Sequence, residues 1–123
     1  MKAKLEVSLE HPVMFLSDPY AEDLAPLDIG DNLIASTESC IAFRVRSYIE
    51  GGADVTISSE EHPSLREPNY KKAMNLKSGV VSVSDSGRFN YCMFPVEGSQ
   101  VYFEIWNSTD DSVWIRISPL IEY

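Results

Sequence analysis

The stretch SDPYAEDLAPLDIGDN, residues 17–32, holds Asp18, Glu22, Asp23, Asp28 and Asp31 and neither lysine nor arginine. Carboxylates in one connecting segment have three chemistries open to them. They can ligate calcium, which takes oxygen donors. An EF-hand loop, however, needs ligands at fixed alternate positions, a glycine at the sixth and a glutamate at the twelfth. DIGDN does not provide them, so no metal is expected. Carboxylates can also work as an acid/base pair on a glycoside or phosphoester, but that depends on the separation of two particular groups. In a chain with 19 acidic residues, abundance says nothing about such a pair. The third chemistry is electrostatic: clustered carboxylates attract a basic partner and raise its association rate.

Nucleophilic chemistry finds less support. No serine lies in a GxSxG elbow. Both histidines, His11 and His62, precede proline, and Cys40 and Cys92 stand far apart. There is no phosphate-binding loop, dinucleotide fingerprint or HExxH pair. The chain is therefore read as a non-enzyme without cofactor. The cysteines read as small reduced core residues, and Asn107-Ser108-Thr109 reads as a turn rather than a glycan acceptor.

The net charge is −9 at pH 7, and it is unevenly spread. Residues 1–39 set Lys2 and Lys4 against eight carboxylates, and residues 97–123 set Arg116 against five. Such a chain repels a phosphate backbone, so direct nucleic-acid binding is disfavoured and a basic protein partner suits it. No apolar run approaches the roughly 20 residues of a membrane helix. Glu6 and Glu10 interrupt what would be a signal-peptide core. The expected location is the cytoplasm, and no membrane contact is expected.

The elements that must position these groups are strands. Leu5, Val7 and Leu9 alternate with polar neighbours, as do Ile41, Phe43 and Val45, then Val55 and Ile57, then Phe89, Tyr91 and Met93. Gly51-Gly52 and Asp85-Ser86-Gly87 are turn signals, and Glu97-Gly98-Ser99 reads as a hairpin turn. YKKAMNLKS fits either a short helix or an edge strand whose lysines discourage aggregation. Residues 58–69 form a polar, proline-containing loop. Seven to nine short strands predict an all-β fold, a single-domain antiparallel β-sandwich over residues 1–123.

One pair of strands adds a second functional signal. If Val101, Phe103, Ile105, Val113, Ile115 and Ile117 face inward, then Tyr102, Glu104, Trp106, Trp114 and Arg116 face outward. Tyr, Trp and Arg dominate interface hot spots. Tyr102, Glu104, Trp106 and Trp114 are therefore expected to anchor a partner that Asp18, Glu22, Asp23, Asp28 and Asp31 steer. The alternative is that these aromatics pack under residues 58–78 or against a neighbouring subunit.

The order of KLEVSLEHPVMFLSD, the acidic segment, IAFRVRSYIEGGADVTIS and GRFNYCMFPVEGSQVYFEIWN resembles the competence protein J family. These are small acidic bacterial inhibitors that bind and silence a partner nuclease. The order is also similar to other small bacterial β-sandwich proteins, some of them toxin immunity proteins. The resemblance covers most of the chain as a pattern of strands and charge, and it transfers no residue by position. It implies an inhibitor or immunity protein whose carboxylates mimic or occlude the phosphate path of a basic nuclease or toxin. The second reading is a ligand-binding sandwich for calcium, carbohydrate or lipid, with Trp106 and Trp114 as a platform.

Overall fold

The computed structural model describes residues 2–20, 32–64, 66–85, 87, 89–97, 100–109 and 111–118. Among the described residues ten strands follow one another: β1 (Lys2–Val7), β2 (Val13–Ser17), β3 (Ile34–Ser36), β4 (Cys40–Arg44), β5 (Ala53–Ser58), β6 (Tyr70–Asn75), β7 (Val80–Asp85), β8 (Asn90–Pro95), β9 (Gln100–Trp106) and β10 (Ser112–Ser118). They form two five-stranded sheets, ordered β1-β5-β10-β9-β6 and β3-β4-β2-β7-β8. The expected β-sandwich is present, with one strand more than the upper estimate. It is antiparallel except where β10 runs parallel to β5.

The alternation sorts the side chains as the sequence requires. Val55, Ile57, Val101, Phe103, Ile105, Val113, Ile115 and Ile117 of the first sheet meet Met14, Leu16, Ile41, Phe43, Val81, Val83 and Phe94 of the second in one core. Each fully buried aliphatic or aromatic side chain there contributes about 1.5–3 kcal/mol. Strand β2 does not alternate because it is central and buried on both faces. Met14 and Leu16 enter the main core, while Val13 and Phe15 join Cys40 and Ala42 in a smaller cluster.

YKKAMN is a strand, not a helix, and it lies at the edge of the first sheet with Lys71 exposed. Glu97-Gly98-Ser99 does not close a hairpin. Strand β8 belongs to the second sheet and β9 to the first, so this connection changes sheets. The Asp85 turn does close one, between β7 and β8. Asp85 Oδ1 accepts the backbone N–H groups of Gly87 at 2.8 Å and Phe89 at 3.1 Å, which is the local reason the chain reverses there.

Neither Cys40, which is buried, nor Cys92 is joined in a disulfide. Burial pushes the Cys92 thiol up to about 11, the opposite of what a nucleophilic thiolate needs. Asn107 is fully buried. Its Nδ2 donates to Leu33 O at 3.2 Å and its amide pairs with that of Asn69, so in this fold it offers no glycan acceptor. No helix among the described residues is long and apolar enough to cross a membrane.

Candidate partner-binding surface

The outer face of the first sheet carries the residues singled out by alternation. Trp106 lies directly opposite Trp114, Glu104 opposite Arg116, and Tyr102 opposite Ser118. Lys71 of β6 lies on the other side of Glu104. The register thus places a cation, a carboxylate and a cation in one row, beside a row holding both tryptophans.

The topology decides what becomes of this face. Strand β5 is second in the sheet and β6 is at the far edge, so residues 59–69 must cross over β10 and β9. The inner face is filled by the core, leaving the outer face as the route. The segment lies across it as a strap, and the outward polar groups hold it by its backbone. Arg116 Nε donates to Ser59 O at 3.1 Å, Trp114 Nε1 to Glu60 O at 2.9 Å, and Trp106 Nε1 to Arg66 O at 2.7 Å. The His62 ring meets Trp114 edge-on, with centroids 5.4 Å apart, and Trp106 at 5.9 Å. Lys2 Nζ lies 5.0 Å from the centre of the Trp114 ring. Arg116 Nη1 links Glu104 at 3.1 Å and Glu61 at 3.3 Å.

Trp106 and Trp114 therefore point outward yet remain only 8% and 9% exposed. They do not form an open anchor, nor a platform for a sugar or lipid. The alternative stated from sequence, burial under the segment after residue 58, is the arrangement found. The signal for it was the coincidence of two outward indoles with a long connection rich in backbone acceptors. Glu104 is mostly covered and paired with Arg116. Tyr102 is 40% exposed and remains available at the surface.

Asp18 departs most from its expected role. It is 5% exposed, and its carboxylate is occupied by backbone donors. Oδ1 accepts Tyr20 N–H at 2.9 Å and Oδ2 accepts Ser78 N–H at 3.1 Å. Burial works against its charge. The N–H groups of Tyr20, Ser78 and Lys77 and the Ser78 hydroxyl outweigh that and hold the carboxyl below its ordinary value. It ties the end of β2 to the turn between β6 and β7 and is not free to steer a partner. Glu22, Asp23, Asp28 and Asp31 lie outside the described residues. Among the described residues, no group of three His, Cys, Asp or Glu side chains is arranged to hold a metal ion.

If the indole N–H groups hold the strap, Trp114→Phe loosens it locally. Phenylalanine keeps most of the ring surface and removes one donor, a loss of about 1 kcal/mol. The expected result is faster hydrogen exchange of the amides in residues 60–64, with exchange in β9 and β10 little changed.

No family model matches the chain, and no curated protein matches it. Among solved structures, it is similar to one described as the crystal structure of ComJ, inhibitor of the DNA degrading activity of NucA, from Bacillus subtilis. The two align with a TM-score of 0.63 and 11% sequence identity over 94% of this chain and 93% of that one. At that identity the likeness is one of fold, and the two-sheet sandwich described above is the fold of the nuclease inhibitor ComJ.

Proposed function

We propose that the chain is a non-catalytic binding protein that inhibits a DNA-degrading nuclease in the bacterial cytoplasm. The observation that carries this reading is the fold shared with ComJ over nearly the whole of both chains. The charge supports it. A nuclease that binds a phosphate backbone presents basic groups along its groove, and a protein of net charge −9 is attracted to them. Inhibition then needs no chemistry on the inhibitor's part, only occupation of the groove or its entrance.

The direct experiment measures DNA degradation by a purified nuclease from the same source as increasing amounts of the chain are added. The expected result is stoichiometric loss of degradation that weakens as salt rises. Undiminished degradation at large molar excess of the chain, at low salt, would count against the reading.

Within this proposal, Glu22, Asp23, Asp28 and Asp31 act at long range. Reversing two of them tests that role. Asp23→Lys with Asp28→Lys changes the net charge from −9 to −5 and is expected to slow association by about tenfold at low ionic strength. Near physiological salt the Debye length shrinks to roughly 8 Å and the difference should narrow. Stopped-flow association rates at several salt concentrations check it; equal rates for both proteins at every salt would remove the steering role.

A further inference from the structure

An exposed apolar feature lies at the end of the sandwich where the chain passes from β4 to β5. Between β4 and β5 the chain makes a single 3-10 turn, Tyr48–Glu50. It leaves Ile49 79% and Tyr48 48% exposed. These side chains are not on a loosely tethered loop. Tyr48 N–H donates to Leu9 O at 3.0 Å, Gly51 N–H to Tyr48 O at 3.1 Å, and Gly52 N–H to Ser47 O at 2.9 Å. Arg46 Nε closes the base on Gly52 O at 2.7 Å. An isoleucine and a tyrosine held out in water on an ordered turn gain nothing for the isolated fold. For binding they are pre-organised, because the ordering cost is met beforehand.

The strand register puts carboxylates at the same end. Glu6 of β1 lies directly opposite Asp54 of β5, and Asp54 N–H donates to Asp111 O at 2.9 Å. Like charges directly opposite across a ladder are unfavourable, and a cation arriving between them relieves that repulsion. Glu10 and Glu50 are exposed on the two loops joined by the Tyr48–Leu9 hydrogen bond. Arg44 and Arg46 are half-buried and donate to backbone carbonyls, and the exposed Lys4 lies one row further along β1 on the face of Glu6.

We infer that the Tyr48–Ile49 knob, rimmed by Glu6, Glu10, Glu50 and Asp54, is the docking surface for a basic protein partner with an apolar pocket ringed by lysine or arginine. The inference deepens the nuclease-inhibitor reading and rests on it for the partner's identity. Charge complementarity selects the occupant. A second copy of this chain would bring another −9 to the same surface, whereas a basic groove brings the opposite sign. The apolar knob then supplies the desolvated contact, and the carboxylate rim the orientation.

The test compares Tyr48→Asp/Ile49→Asp with Phe89→Asp/Met93→Asp, a pair exposed on and beside edge strand β8. The melting curve of each variant is recorded first to establish that it folds. The first pair is expected to raise the inhibitory concentration against the nuclease at least tenfold, and the second to leave it unchanged. Inhibition that survives the first pair, or is lost only with the second, overturns the docking surface while leaving the inhibitor reading intact. If no nuclease is inhibited by the parent chain, a photo-crosslinking residue at position 49 decides the surface separately in source-cell extract. A mass-identified basic protein, cross-linked at 49 and lost on Glu6→Lys/Asp54→Lys, supports the surface while the inhibitor reading falls. Absence of such a product overturns both.

Discussion

Asp18→Asn is expected to destabilise the protein by about 2–3 kcal/mol near neutral pH, although the two side chains are nearly the same size. The wild-type carboxylate offers two oxygens to two backbone N–H groups, of Tyr20 and Ser78. Asparagine has one oxygen. Whichever way the amide turns, its NH2 group faces a donor, and a buried N–H is left without an acceptor. The pH dependence carries the sign of a depressed carboxylate. The folded-state value lies below the ordinary 3.8, so the stabilising contribution is fully present above 3.8 and is lost as pH falls through the folded-state value. The difference between wild type and Asp18→Asn should therefore be constant from neutral pH down to about 5 and shrink below about 4. Denaturant unfolding of both proteins across pH 2–7 checks it. A gap that persists unchanged to pH 2 would mean that the carboxylate's charge contributes nothing.

That role was not legible from the segment in which Asp18 occurs. In SDPYAEDLAPLDIGDN it is one of five similar acids, and nothing local shows that a turn sixty residues later brings the Ser78 N–H to it. The faces of the strands were legible, because an alternation of two fixes which side chains share a side. Tyr102, Trp106 and Trp114 lie on the face assigned to them. What alternation leaves open is which strand lies beside which. The parallel pairing of β5 with β10 and the change of sheet between β8 and β9 are products of long-range packing. So is the route of residues 59–69, which turned two candidate anchor residues into the fixings of a strap. The Tyr48–Ile49 knob could have been suspected, since SYIEGG places two large apolar residues just before a glycine pair.

The glycine pair makes the second large effect. Gly52 has φ +75°, and an added Cβ would lie 2.5 Å from Val7 O, a backbone atom of β1. Gly52→Ala therefore carries two separate costs. One is the left-handed backbone, about 1–2 kcal/mol for a residue with a Cβ. The other is displacement of a strand end that cannot rotate away, because Val7 is paired with Ala53 at the close of the β1–β5 ladder. Gly79 isolates the first cost. Its φ is +73°, but an added Cβ there meets nothing nearer than Val96 O at 3.9 Å. Gly79→Ala should then lose about 1–2 kcal/mol and Gly52→Ala roughly 2–4 kcal/mol, measured by the same denaturant unfolding. Equal losses would show that β1 yields to the added methyl without strain. The excess at Gly52 also has a functional reading, because this residue anchors the turn that presents Tyr48 and Ile49: Ser47 O accepts its N–H, and Arg46 binds its carbonyl. A methyl that forces the loop off Val7 moves the knob relative to Glu6 and Asp54. Gly52→Ala should therefore weaken partner binding at temperatures where the protein is still fully folded. Gly79→Ala, in the turn between β6 and β7, should lower stability and leave binding as it was.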